Sequence, residues 1–332
     1  MGKIVGLTYD LKEDYQLKEG DPKDACAELD QPKTIDAIQS ALQKGGHKIK
    51  RIGNVFKLLK EINTLGVDII FNICEGLNGR NRESQVPNIL EMYGIPFVGA
   101  DALTLGMTLD KVVAKKMFIS EGIPTPRYFV ANAKTDLKAV NTIGFPLIVK
   151  TKHEGSSKGI DVNARVENLE QLKSRVDYVN KVYKQEALVE EFIRGSEVTA
   201  AVLGNENPEA MPVVQVSMDG SIDLGDKFYS FERLSVQAAT LKYICPAKLP
   251  KKTEKYVQEL ALKVYNCVGC RDFGRVDFRI DENGNPYVLE INPLPCLLPE
   301  DTFGIFPEAI GSTYDETVNK ILDFALKRYN MR

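Results

Sequence analysis

The chain has 332 residues, of which 43% are hydrophobic and 27% are charged, a composition typical of globular proteins with two or three domains. Its 43 basic and 46 acidic residues give a formal net charge of -3, which provides no general attraction to nucleic acid or to anionic membranes. The longest apolar runs have the length of strands rather than of membrane spans, and the N-terminus has no signal-peptide pattern, so we expect a cytoplasmic protein without nucleic-acid or membrane partners.

The first hundred residues alternate short apolar runs with helical patterns. This alternation predicts an α/β fold with a doubly wound parallel sheet, which we assign to an N-terminal domain at 1–104. The strand patterns lie at 3–7, 49–52, 68–72 and 96–98, and the helix patterns at 34–44, 55–65 and 84–93. A long polar connection at 8–33 follows the first strand, and connections of this length are commonly functional.

The remainder of the chain mixes strands and helices in two further α+β units. A helix pattern at 110–121 ends at Gly122, with Pro124 just beyond it, which is a common helix stop. We place a central domain at 105–194 and a C-terminal domain at 195–332. Strand patterns lie at 127–130, 147–150, 187–192, 198–203 and 213–217, and helix patterns at 166–179, 253–267 and 314–329.

Six cysteines are scattered along the chain, and without an export signal we expect free thiols. Cys267 and Cys270 form a lone CxxC, but no second pair or nearby histidine completes a metal site. They are interpreted as buried cysteines at a helix end.

Two strand patterns flank Asn283-Gly284, a dipeptide typical of a two-residue hairpin turn. Asp277 and Glu290 are equally far from this turn, so they are predicted to face each other. Opposed carboxylates repel unless a cation neutralises them, and Asn292 lies on the same face as Glu290. Such oxygen ligands suit Mg2+. The alternative is a solvated polar face on an exposed hairpin.

The loop at 152–159 follows a buried strand and is rich in glycine, serine and lysine. Its backbone donors, hydroxyls and cations are the materials of an anion-binding nest. Flexible connections share this composition, and the loop does not match the Walker A pattern. By itself the loop's composition therefore favours an ordinary flexible connection over a phosphate site.

Taken together, the hairpin, the loop at 152–159, the segment 188–199 and the motif at 290–295 resemble the ATP-grasp superfamily, and within it the D-alanine–D-alanine ligases. The resemblance extends from about Cys74 to the C-terminus. It implies an ATP-grasp fold with ATP between the sheets of the central and C-terminal domains, and it implies that the N-terminal domain at 1–104 is a substrate domain. The cofactors would be ATP and two Mg2+ ions, for which Mn2+ can substitute.

The same resemblance implies an ATP-dependent carboxylate–amine ligase. Phosphoryl transfer would convert a small amino acid carboxylate into an acyl phosphate, and an amine would then attack it to form an amide or peptide bond. The partners are therefore small-molecule carboxylate and amine substrates, and a homodimer is the candidate assembly. The alternatives are a true D-alanine–D-alanine ligase and a non-catalytic ATP-binding protein.

Individual site residues also follow from the resemblance. Arg275 would point at the oxyanion of the tetrahedral intermediate, and Lys111 and Lys150 would contact phosphates. The other ATP-site positions are the adenine set Glu190, Glu191, Phe192 and Ile193, the ribose-binding Glu197, the phosphate-loop serines Ser156 and Ser157, and the metal ligands Asp277, Glu290 and Asn292. The alternatives are an exposed helix charge for Lys111 and a solvated turn residue for Glu197.

The donor-substrate part of the chain departs from the family pattern. The family's acidic motif for the first substrate's ammonium is absent, and Glu28 or Asp30 is the best positional substitute. An acidic residue favoured near a helix N-terminus is an equal alternative for both. Where the family often has His-Gly, this chain has Cys74-Glu75-Gly76, so Glu75 is a further substrate candidate.

The acceptor part departs as well. Arg233-Leu234 replaces the family's Lys-Tyr pair, so Arg233 keeps a catalytic cation without the hydroxyl. Cys296 replaces a glycine, and Asp301 replaces the serine that helps bind the second substrate's carboxylate. An anionic Asp301 would repel that carboxylate by on the order of a few kcal/mol and make D-alanine a poor acceptor. A cationic neighbour, or a helix-start role for Asp301, would cancel this expectation.

Overall fold

Residues 2–231 and 240–331 are described by a computed structural model of the chain. The described residues form three sheets, one of them entirely parallel. None of the helices in these ranges has the length and apolar character that a bilayer span requires.

The N-terminal sheet is parallel, with the strand order β2-β1-β3-β4, as predicted for a doubly wound fold. Its strands are β1 (Ile4–Tyr9), β2 (Lys48–Gly53), β3 (Ile69–Ile73) and β4 (Phe97–Val98), and its helices are α1 (Pro32–Lys44), α2 (Val55–Glu61) and α3 (Gln85–Met92). Apolar side chains of the sheet pack against α1 on one face and against α2 and α3 on the other. Both faces are covered, which explains the continuous apolar character of β1 and β3.

The central sheet is antiparallel, with the order β5-β8-β6-β7. It consists of β5 (Tyr128–Ala131), β6 (Leu147–Thr151), β7 (Arg165–Val166) and β8 (Ala187–Glu191), and the neighbouring helices are α4 (Ala102–Leu109), α5 (Lys111–Ser120), α6 (Val140–Ile143) and α7 (Leu169–Val182). Helix α4 was not predicted. Asp110 ends α4 and caps α5, because its carboxylate accepts from the backbone N–H groups of Val112 and Val113.

The C-terminal sheet has the order β12-β11-β9-β13-β14, with β10 on β9. Its strands are β9 (Ser196–Leu203), β10 (Glu209–Ala210), β11 (Val214–Met218), β12 (Leu241–Ile244), β13 (Phe273–Ile280) and β14 (Pro286–Asn292), and its helices are α8 (Lys251–Cys267), α9 (Thr302–Ala309) and α10 (Tyr314–Arg328). Helix α9 was not among the predicted helices, although a helix start at Asp301 was named as an alternative. Cys267 and Cys270, at the end of α8, are free thiols, as are the other four cysteines.

The last helix returns to the N-terminal domain, and its apolar face packs in the same core as α1. Asn319 donates to the carbonyl of Ala41 at 2.7 Å. Beside β4, the fully buried Asp272 accepts from Arg328 at 2.6 Å and from the backbone N–H of Gly99 at 2.8 Å. The first and last parts of the chain are therefore joined by apolar packing and by a buried ion pair.

Candidate active site

A cavity of about 640 Å³ lies between the central and C-terminal sheets, and residues 27–31 after β1 also line it. This volume is within the range of small-molecule sites. Every predicted site residue in the described ranges contributes to its lining. Arg233 lies outside the described residues.

An apolar slot forms one part of the cavity around Phe192, whose ring packs edge-on against Phe228 with centroids 5.9 Å apart. The guanidinium groups of Arg165 and Arg279 lie 5.2 and 5.3 Å from the Phe192 ring centre. Arg279 also donates to the carbonyl of Ile193 at 2.9 Å. The ring and the adjacent backbone are thus held in place beside a slot that suits a planar heterocycle.

The segment after β8 was predicted to contact adenine. The backbone N–H of Phe192 already donates to the carbonyl of Pro146 at 3.1 Å. The Glu191 carboxylate accepts hydrogen bonds from Nε and Nη2 of Arg127, each at 2.9 Å. Glu191 lines the cavity, but its carboxylate is already hydrogen-bonded to Arg127.

Glu197 lies on β9 rather than in a turn, so the solvated-turn alternative is wrong. Its carboxylate is 3.2 Å from Arg279, and burial, which outweighs this cation, raises the pKa of Glu197. The position is compatible with binding to the hydroxyl groups of a sugar. Lys111 is likewise no exposed helix charge, because only 11% of its side chain is exposed.

A buried cluster of charges links α5 to the central sheet. Glu190 accepts from Lys115 and from Lys150, each at 2.6 Å. Burial alone would raise the pKa of Glu190, but the two ammonium groups lower it to about 2. The Glu190 carboxylate was predicted to contact adenine, but its contacts show that it positions two lysines. Lys115 was not predicted, although it lies one helical turn after Lys111.

The hairpin of β13 and β14 confirms that Asp277 pairs with Glu290. Asp277 accepts two hydrogen bonds from Arg275 at 2.9 Å and one from the Asn292 amide at 2.9 Å. Glu290 is 2.9 Å from the ammonium of Lys111. Burial acts to raise the pKa of Glu290, but the lysine charges keep it below its usual value. These side chains line the cavity, so the solvated-face alternative is wrong.

The turn of this hairpin differs from the prediction. Asp281 N donates to Asn285 O at 3.0 Å, which encloses three turn residues instead of two. The pairs next to the turn are therefore shifted by one residue, so that Phe278 pairs with Val288. A bulge at Leu289 shifts the register back before Glu290. The predicted facing pair is correct because two deviations cancel.

Ser156 and Ser157 lie in the phosphate loop at 152–159 with φ of 47° and 57°, the left-handed conformation of a tight turn. This turn is closed by Lys158 N, which donates to Gly155 O at 2.9 Å. Gly155 N donates to Glu28, and Gly159 N donates to Asp24 at 2.7 Å. The connection after β1 thus fixes both ends of the loop's Gly-Ser segment.

The predicted substrate role of Glu28 is not supported by its contacts. The Glu28 carboxylate is buried and accepts from Arg82, Gly155 N and Lys158. Burial would raise the pKa of Glu28, but Arg82 and Lys158 lower it. Its oxygens are therefore occupied in holding the phosphate loop. The alternative Asp30 is free of such ion pairs in the described ranges, and burial raises its pKa to about 7.

Glu75 lines the cavity together with Glu83, which the sequence analysis did not select. Burial is the largest influence on both carboxyl groups, and their mutual repulsion adds to it for Glu75. The pKa of Glu83 is raised to about 7, and that of Glu75 is raised well above its usual value. This part of the cavity therefore carries carboxyl groups whose ionisation is unfavourable.

The predicted acceptor region contains Arg275, Cys296 and Asp301. Asp301 caps α9 by accepting from the N–H of Thr302, and it is 3.9 Å from Arg275. Both features remove the basis for the expected repulsion of an incoming carboxylate, and the acceptor preference itself stays a prediction. Burial raises the pKa of the Cys296 thiol, which argues for a neutral lining residue.

Comparison with known proteins gives concordant matches. The family described as "D-ala D-ala ligase C-terminus" matches residues 117–323. A D-alanine–D-alanine ligase of Carboxydothermus hydrogenoformans is 34% identical over 306 residues, covering 89% of this chain and 93% of that protein. An uncharacterized protein of Sinorhizobium fredii is 32% identical over 312 residues, covering 90% of this chain and 89% of that protein.

Solved structures share the fold. The D-alanine–D-alanine ligase of Bacillus anthracis in complex with ATP matches with a TM-score of 0.76 at 21% identity, covering 99% of each chain. The VanG D-Ala:D-Ser ligase of Enterococcus faecalis matches with a TM-score of 0.75 at 22% identity, covering 98% of this chain and 100% of that one.

Proposed function

Because this chain belongs to the D-alanine–D-alanine ligase family and is an ATP-dependent carboxylate–amine ligase of the ATP-grasp type, we propose that its cavity binds ATP with Mg2+ and activates a small amino acid as an acyl phosphate. An amine would then attack the activated carbonyl. The substrates are inferred from the cavity and from the relatives. A cytoplasmic location and a homodimer stay predictions.

The observation that carries this proposal is the facing pair Asp277 and Glu290 with Asn292 beside it. The residues fit Mg2+, because they offer hard oxygen ligands. Since the Asn292 amide nitrogen donates to Asp277, its amide oxygen remains for a cation. The bound ion would neutralise charge on the phosphoryl oxygens during transfer.

The surrounding side chains have separate tasks in this proposal. Lys111 and Lys150 bind phosphate oxygens, and Glu190 keeps Lys150 in position. Arg275 stabilises the oxyanion that forms when the amine attacks. The phosphate loop, held by Asp24 and Glu28, excludes water that would hydrolyse the acyl phosphate.

A D-alanine–D-alanine ligase remains the second candidate, supported by the named relatives. Asp301 no longer argues against D-alanine as acceptor, since Arg275 lies close to it. ADP release that depends on D-alanine alone, together with formation of the dipeptide, would establish this candidate.

The proposal is tested by ADP release from ATP and Mg2+ with a panel of amino acids and amines. Asp277→Asn should reduce kcat by about 100-fold or more, because the loss of one ligand costs roughly 3 kcal/mol of transition-state stabilisation. Glu282→Gln, an exposed turn residue of the same hairpin, should leave kcat unchanged. ATP binding without ADP release for any pair of substrates would contradict the ligase and support a binding protein.

A further inference from the structure

Two carboxylates in the cavity are not used by the proposed reaction. Glu75 follows β3, and Glu83 lies in the short helical turn before α3. Glu83 is only 8% exposed, and both side chains line the cavity. Within 2–231 and 240–331, neither carboxylate has a hydrogen bond or an ion pair to another side chain. A carboxyl group that is buried without a partner and faces a cavity either stays protonated or ionises when a cationic ligand enters the cavity.

The nearby cations already have partners. Arg82 influences both carboxyl groups, but its guanidinium bonds Glu28 and the carbonyl of His153. Lys111 bonds Glu290 and the carbonyl of Glu154, and Lys158 bonds Glu28 and Glu154.

The remaining charges near the two carboxylates are mostly negative. Glu28 and Asp30 disfavour ionisation of Glu75, and Glu28 and Glu290 disfavour ionisation of Glu83. Asp30 also lines the cavity and has no ion pair in the described ranges. The α-ammonium of one amino acid would compensate one of these three carboxyl groups and leave the others buried without a cation.

We propose that Glu75 and Glu83, with Asp30 nearby, bind a second positive charge on the amino acid substrate, which therefore belongs to the diamino or guanidino carboxylic acids. This inference rests on the proposed function, because it names the substrate class of the same site. The cationic side chain lies between the two glutamates and permits both to ionise. The carboxylate of the substrate is thereby oriented towards Arg275 and the magnesium-binding hairpin.

The substrate pair ornithine and norleucine provides a matched test, because an ammonium group in one replaces a methyl group in the other. Arginine and citrulline test the guanidino class in the same way. Both stereoisomers of each are assayed for ADP release with a panel of amines. We expect at least a 10-fold higher kcat/KM for the cationic member of a pair, and Glu83→Gln or Glu75→Gln should reduce this preference to near unity.

Glu91→Gln removes an exposed carboxylate from α3 and should retain the preference. Binding is measured separately by calorimetry on the full chain with Mg2+ and a non-hydrolysable ATP analogue. The cationic amino acid should bind at least 10-fold more tightly than its neutral counterpart in the parent protein but not in Glu83→Gln.

The two proposals fail in different ways. ADP release with neutral amino acids, without a charge preference or with one that Glu83→Gln does not change, overturns the second-cation site and leaves the ligase in place. Absence of ADP release with every substrate overturns the proposed function. In that case, charge-selective binding that depends on Glu83 still supports the cation site, and binding without charge selectivity overturns it.

Discussion

Glu190 and its two lysines show how a single buried carboxylate can organise a phosphate site. We predict that Glu190→Gln lowers the free energy of unfolding by on the order of 3–5 kcal/mol at pH 7, because Lys115 and Lys150 lose their shared buried anion. Glu191→Gln, which removes the more exposed pair with Arg127, should cost less than about 1 kcal/mol. Urea denaturation measures both values, and equal effects would contradict the assigned role of Glu190.

The pH dependence of stability tests the environment of Glu83. Its pKa of about 7 in the folded chain exceeds the ordinary value of 4.5, so the folded state binds more protons between these values. The contribution of protonated Glu83 to the free energy of unfolding is complete below about pH 4.5. This contribution is lost as the pH rises through 7. Glu83→Gln should therefore match the parent near pH 4 and exceed its free energy of unfolding by up to about 3 kcal/mol at pH 8.

Urea denaturation between pH 4 and 8.5 measures this difference. Glu91→Gln serves as the exposed control and should show no such trend. A difference between Glu83→Gln and the parent that stays constant over this range would show that Glu83 has an ordinary pKa.

The residues that the sequence analysis missed are defined by contacts between distant segments. Asp24 was one of many acids in a long polar connection, and its contacts with Gly159 and Tyr183 require the central domain to be in place. Within the described ranges, Glu83 lacks an ion pair because the nearby Arg82 and Lys111 pair with Glu28 and Glu290 instead. The sequence alone does not show which carboxylate each of these cations contacts. Local patterns contain no information on such partner choice.

At the level of elements, the hairpin shows which part of a register is predictable. Alternation and the Asn283-Gly284 signal located the two strands and the facing pair. The turn length and the bulge at Leu289 depend on how the hairpin packs in the full sheet, so local signals did not resolve them. The other predicted strands match observed strands to within a few residues, but β7, β10, β12 and α6 were not predicted. The helices α4 and α9 were missed because both are short and largely apolar.

We expect the contact between the phosphate loop and the connection after β1 to open and close in solution. Asp24→Ala removes the acceptor for Gly159 N and for the Tyr183 hydroxyl, so the loop should open more often. Hydrogen exchange at 155–159 should become faster by about 10-fold or more without nucleotide, since a lost hydrogen bond of about 1.4 kcal/mol corresponds to this factor. Asp21→Ala changes an exposed acid in the same segment and should leave exchange at the loop unchanged. Equal exchange in the two variants would contradict the contact.

Across the whole molecule, α10 connects the C-terminal sheet to the N-terminal domain. Arg328→Ala leaves the fully buried Asp272 without its cation, and we predict a loss of on the order of 3–5 kcal/mol in the free energy of unfolding. Lys327→Ala removes the neighbouring exposed pair with Glu206 and should cost less than about 1 kcal/mol. Thermal and urea denaturation of the two variants distinguish a structural connection from a surface contact.

Formation of an acyl phosphate is the central claim for the molecule, and oxygen transfer tests it most directly. The amino acid donors of the panel are labelled with 18O in the carboxylate and are incubated with ATP, Mg2+ and the amines. Attack of the carboxylate on the γ-phosphorus and later attack of the amine on the carbonyl transfer one labelled oxygen to phosphate. We predict that mass spectrometry detects phosphate with one 18O and an amide product in equal amounts. Unlabelled phosphate, or the absence of both products, would contradict the account.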